Sequence, residues 1–214
     1  MLPRKTNRTF LAGVLAGAMV LAADTVAQTA NSLVLENNPA PALALTLQPG
    51  EMVGQQQIMR ALLKSGTNQF LFVVPEGLGI QNVDEGKIVL SSRDMKYYAS
   101  VRIVAPRPAA DGLKEALQEA IAGLYPGVSH LEEFAATVAN REGIGACLRQ
   151  ESPGVALRQV RILWVPFKAG VVEFTLVAQS DNLRAAQGAF DMILLTFRSN
   201  EGGRLEYVRR SDKS

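Results

Sequence analysis

Between residues 69 and 105, apolar runs and turn signals follow each other too closely for anything but antiparallel strands. Phe70-Leu71-Phe72-Val73-Val74 is stopped by Pro75-Glu76-Gly77. Residues 79–83 and 87–91 flank Asp84-Glu85-Gly86, and residues 97–105 form the next run. A parallel neighbour needs a crossover of a dozen residues or more, which these turns do not contain. The first run is apolar at every position, which predicts a strand buried on both faces.

A helix is expected next, over 111–124. Leu113, Ala116, Leu117, Ala120, Ile121 and Leu124 recur at i, i+3 and i+4, Asp111 is placed to cap the start, and Pro126-Gly127 ends the run. Four more strands are expected near 130–139, 144–150, 156–165 and 170–178. The turns between them contain Asn140, Gly143, Pro153, Gly154 and Gly170. Val160, Ile162 and Trp164 alternate with Gln159 and Arg161; Val172, Phe174 and Leu176 alternate with Glu173 and Thr175. Each of these two strands is therefore expected to show a wetter face. A second helix, about 182–197 and capped by Ser180 or Asp181, carries a stripe of Leu183, Ala186, Phe190, Ile193, Leu194 and Phe197. Core packing is the plain reading of that stripe.

The start of the chain reads differently. Arg4, Lys5 and Arg8 precede an uncharged apolar run over 10–23, and Thr25-Val26-Ala27 offers the small residues of a cleavage site. Residues 1–27 are therefore expected to be a secretory signal, with the mature chain periplasmic or secreted. The alternative is an uncleaved membrane tether, although this run is shorter than the roughly 20 residues a span needs. No cysteine follows it, which excludes a cysteine-linked lipid anchor. Residues 28–68 are expected to form an N-terminal arm. Leu43, Leu45 and Leu47 alternate there, and residues 51–64 have helical character, with Met52, Ile58, Met59, Leu62 and Leu63 mostly to one side. An α+β domain over 69–199 and a polar tail over 200–214 complete the division.

Charge narrows the partners. The chain holds 22 basic and 20 acidic residues. Without residues 1–27, which carry three basic residues and Asp24, 19 of each remain and the net charge is zero. No concentrated positive surface is implied, so nucleic acid is not an expected partner. The local basic excess at Arg204, Arg209, Arg210 and Lys213 reads as a solvated end.

The order of elements from residue 69 to 199 resembles the PsbP-like fold. That fold is shared by photosystem II extrinsic PsbP proteins, a Ran-binding nuclear-import factor and periplasmic proteins related to DcrB. Three segments carry the resemblance: Phe70-Leu-Phe-Val-Val-Pro-Glu-Gly-Leu78, Gly170-Val-Val-Glu-Phe-Thr-Leu-Val-Ala178 and Phe190-Asp-Met-Ile-Leu-Leu-Thr-Phe-Arg198. The resemblance implies an antiparallel β-sheet covered by helices, an α/β/α sandwich. It also implies a mostly non-catalytic binding or assembly role. It brings no functional residues with it.

Candidate chemistry is sparse. One cysteine and one histidine exclude a disulfide framework and the usual structural zinc sites. Cys147 with His130, on neighbouring strands, is the one conceivable nucleophile and base; an inert thiol and a surface histidine are the plainer reading. Ser180-Asp181-Asn182 and Lys64-Ser65-Gly66 imitate fragments of penicillin-recognising enzymes, but the order is reversed and no Ser-x-x-Lys exists. Adjacent carboxylates at Glu132-Glu133 and Asp84-Glu85 face opposite sides of a strand and form no dyad. Tyr97, Tyr98 and Trp164 would line a cleft or, more plainly, pack in the core. The residues thus assign no catalytic, cofactor-binding or metal site, and no cofactor. The expectation is an exported, non-catalytic binding or assembly protein, whose partner is another envelope protein or a small ligand. A thiol-dependent enzyme using Cys147 and His130 is the alternative. Membrane contact is expected only if the signal is retained.

Overall fold

Hairpins build most of the molecule. The computed structural model describes residues 43–84, 86–104, 112–126, 128–152, 155–168 and 170–201. Within these, β1 (Ala44–Val53), β2 (Gln56–Ser65) and β3 (Asn68–Val74) fold back on one another. They turn at Gly54 and Gly66, whose φ of 62° and 57° suit a residue without Cβ. Next come β4 (Leu78–Asp84), β5 (Lys87–Ser92) and β6 (Tyr97–Val104), then helix α1 (Leu113–Leu124). A second meander of β7 (Val128–Val138), β8 (Arg141–Ser152), β9 (Val155–Phe167) and β10 (Gly170–Gln179) follows. One 3₁₀ turn, Ser180–Asn182, leads into α2 (Leu183–Thr196), and β11 (Arg198–Glu201) closes the described chain.

The strands form two antiparallel sheets. One has four strands in the order β1-β2-β3-β11; the other has seven, in the order β4-β5-β6-β10-β9-β8-β7. In the larger sheet β10 is central and buried along almost its whole length. Val171 and Val177 face α1, joining Leu113, Leu117 and Ile121 in a core with Ala146, Leu148, Val160, Ile162 and Trp164. Val172, Phe174, Leu176 and Ala178 face the other way, into a core shared with α2 and the smaller sheet. Each face of the large sheet thus carries one helix, and the smaller sheet adds to the α2 side.

Phe197 ties these layers together. It is fully buried between α2 and β11. Its ring stacks on Phe70 at 5.7 Å and meets Phe174 edge-on at 4.9 Å, with Phe167 at 6.0 Å. The last turn of α2 is held by side chains. Thr196 Oγ1 accepts from the Val73 amide at 3.0 Å, and the Arg198 guanidinium donates to the carbonyls of Leu195 and Phe197. A residue outside the helix thereby satisfies carbonyls the helix leaves open.

The strands and the two helices expected over 111–124 and 182–197 are present to within a few residues. Four expectations are corrected. Residues 51–64 form no helix; they are the end of β1 and most of β2. Met52, Ile58, Met59, Leu62 and Leu63 fit a helical stripe, but Gly54 turns the chain and the pairing of Val53 with Gln56 makes a hairpin. Glu173 and Thr175 do not lie on a wetter face, since both are buried. The run 70–74 is fully buried on one face only, at Phe70 and Phe72, with Leu71 and Val73 half-buried. No side-chain cap forms at α2. Its N-cap is Asn182, while the Ser180 hydroxyl donates to the Leu157 carbonyl at 3.2 Å. The expected signal at 1–27, the arm before residue 43, the Asp111 cap and the tail beyond Glu201 lie outside the described residues. No described helix is long and apolar enough to cross a membrane.

Candidate functional site

α1 lies over the large sheet and stops short of its edge. β7 is the last strand of that sheet, paired only with β8 among the described residues. Between helix and strand a groove of about 280 Å³ stays open. Its floor is apolar: Leu117 and Ile121 from α1, Leu131 and Ala135 from β7, Ile144 and Ala146 from β8. Leu117 and Ile121 also pack into the core, so the helix stripe serves both. Leu131, on this edge strand, is 42% exposed and forms part of the open apolar floor.

The rim is polar and ordered by one carboxylate. Glu133 Oε2 pairs with Lys114 Nζ at 2.7 Å, and Gln118 Nε2 donates to Glu133 Oε1 at 2.7 Å. Lys114 and Gln118 are four residues apart and share one face of α1. The Lys114 bond, then the Gln118 bond, hold the Glu133 carboxyl below its usual range, and Glu133 in turn raises Lys114. Both groups are solvent-facing, so the pair orders the rim more than it stabilises the fold.

A second polar cluster lies beneath the other end of α1 and is closed. Glu173 on β10 takes two hydrogen bonds from Arg102, at 2.7 and 2.9 Å, one from the Trp164 indole at 2.8 Å and one from the Thr175 hydroxyl at 3.2 Å. The register puts Arg102 and Trp164 on either side of Glu173. Burial pushes this carboxyl up, but the Arg102 charge and the donated bonds outweigh it and leave Glu173 below its usual value. Burial drives the Tyr125 hydroxyl well above its usual value, with Tyr98 and Glu173 nearby adding to the effect. With four bonds already made, Glu173 has little capacity left for a ligand, so this cluster is read as structural.

The sequence candidates fall elsewhere. Cys147 is half-buried in the middle of β8, opposite Glu132 on one side and Arg161 on the other. His130 is opposite Arg149, so the register sets His130 and Cys147 diagonally rather than face to face. The His130 side chain lies outside the described residues. Trp164 is a core residue, and Tyr98 is half-buried. Glu132 and Glu133 do face opposite ways, and only Glu133 reaches the groove. Among the described residues no three His, Cys, Asp or Glu side chains come together. The groove itself was not foreseen. Its helix residues belong to the i, i+3, i+4 pattern expected over 111–124, and nothing in that pattern tells which of them stay open beside β7.

No protein-family model matches the chain, and no curated protein does. Solved structures similar to it include the Ran-binding protein Mog1p of Saccharomyces cerevisiae, 12% identical, with a TM-score of 0.46 over 72% of this chain and 96% of that one. LpqN of Mycobacterium tuberculosis, involved in cell envelope biogenesis, is 15% identical, with a TM-score of 0.40 over 72% of this chain and 100% of that one. Cyanobacterial PsbP from Synechocystis is 13% identical, with a TM-score of 0.39 over 78% and 97%. The likeness is one of strand and helix arrangement, in line with the PsbP-like resemblance, and carries nothing about activity.

Proposed function

We propose that the chain is an exported, non-catalytic binding or assembly protein of the cell envelope, and that it meets its partner at the groove between α1 and β7. The groove carries this reading. It is an open concavity with an apolar floor and a few placed polar groups, which is the usual make-up of a recognition site. The basic start, apolar run and Thr25-Val26-Ala27 support export.

A photo-crosslinking side chain placed at position 131 in the full chain, expressed in its native host, tests the site. Position 95 serves as control, because Met95 is 65% exposed in the turn between β5 and β6. A discrete adduct is expected from position 131 and none from position 95, unchanged by Cys147→Ser. No adduct from position 131, or one abolished by Cys147→Ser, overturns the reading.

A further inference from the structure

We infer that the partner enters this groove as an extended, apolar segment bearing lysine or arginine, which adds as a further strand to the edge of β7 that has no neighbour among the described residues. The inference rests on the groove being the binding site. At about 280 Å³ the groove is at the lower limit of the roughly 300–1,000 Å³ of sites that enclose a whole small molecule. It is the right size for side chains, and it runs beside a strand edge. β7 pairs with β8 in unbroken register from His130 to Val138, and its irregularity falls before that stretch, between Val128 and His130. An added strand of about eight residues would bond to that edge through its backbone, and every second side chain would turn toward Leu131 and Ala135.

Charge selects the occupant. Glu115 and Glu119 stand exposed on α1, and Glu142 at the start of β8 shares the groove side of the sheet with Ile144 and Ala146. Glu119 and Glu142 have no ion pair among the described residues, and Glu115 shares the field of Lys114 with Glu133. One lysine therefore faces four carboxylates on this side. Glu132, Arg149 and Arg161 belong to the opposite face of the sheet, with Cys147. A second copy of the chain is a poor occupant. Antiparallel pairing of two β7 edges over His130–Val138 sets Glu133 diagonal to the Glu133 of the second copy, and like charges across strands repel. A basic segment gains from the same carboxylates.

The probe is a labelled peptide of about eight residues in which valine and lysine take turns at every second position with serine between them, so that valine and lysine share the groove side, titrated by fluorescence anisotropy into the full chain. Saturable binding is expected, with a glutamate–valine counterpart weaker by about tenfold or more. Two further peptides carry N-methyl groups on alternate amides, in the two possible phases. Only one phase of backbone N–H groups faces β7, so one of them should lose about tenfold in affinity and the other should keep it. In the Glu119→Lys, Glu142→Lys variant the preference between lysine and glutamate peptides should reverse. Equal binding of both methylated phases, or of both charge types, overturns the inference. If no peptide binds while position 131 still gives its adduct, the strand-addition inference falls and the groove stands. If peptides bind as expected without any adduct, the groove's role in the native host is what fails.

Discussion

Glu173 is the residue with most at stake. Its carboxylate is buried on the central strand and satisfied by Arg102, Trp164 and Thr175. Removing Arg102 leaves that charge buried and uncompensated, so Arg102→Met should cost about 3–5 kcal/mol in urea denaturation. The double variant Arg102→Met, Glu173→Leu should be less destabilised than the single one, because no charge is then stranded. The pH dependence follows from the lowered carboxyl. Between its folded value and the ordinary value of about 4.3, the unfolded chain binds more protons than the folded one. The contribution is therefore complete above about pH 4.3 and is lost as pH falls through the folded value. Glu173→Gln should flatten the loss of stability across that acid range, which denaturation at a series of pH values measures. Gly145 makes a different demand. A Cβ there would lie 2.4 Å from the Phe134 ring and 2.5 Å from the Ile162 carbonyl oxygen. The Phe134 ring also carries the Arg161 guanidinium at 5.0 Å, which limits where it can move. Gly145→Ala should cost roughly 1–3 kcal/mol, read as a lower denaturation midpoint.

Among the elements, α2 is the clearest test of the core. Phe190 is buried against the large sheet, whereas Gln187, on the same helix, is half-buried and off the apolar stripe. Phe190→Ala should cost about 3–5 kcal/mol and Gln187→Ala less than about 0.5 kcal/mol. Equal costs would place the stripe of α2 outside the core. That stripe was readable in the sequence because i, i+3, i+4 spacing is local. The same is true of α1 and of most strands, whose turn residues stand beside them. The hairpin of β1 and β2 was misread for a related reason. Its adjacent apolar pairs 58–59 and 62–63 suit a helical stripe, and they are tolerated in β2 because Ala61, Leu62 and Leu63 are buried on both faces of the strand; only Gly54 argues locally for the hairpin. Pairing was not readable. β6 meets β10, and β11 meets β3, across long separations that leave no local trace. The buried state of Glu173 follows from that pairing, since Arg102 and Trp164 become its neighbours only once β6 and β9 flank β10.

At the scale of the whole molecule, the two sheets and two helices of the described residues leave an apolar strip open beside β7. The large sheet ends in two edges, β4 and β7, yet the groove lined by Leu117, Ile121 and Leu131 adjoins only one. The halves of the groove come from a helix stripe and an acidic pair, each with an ordinary explanation alone. They meet because Leu113, Leu117 and Ile121 pack α1 onto the sheet, which brings Lys114 within reach of Glu133 on β7. The two edges provide an internal comparison for the central claim, recognition at β7. Amide hydrogen exchange, followed by mass spectrometry on the full chain with and without the lysine–valine peptide, reads both edges at once. Recognition at β7 predicts slower exchange in peptides covering Leu131–Val138 and no change in those covering Leu78–Asn82; protection at β4, or at neither edge under saturating peptide, would contradict it.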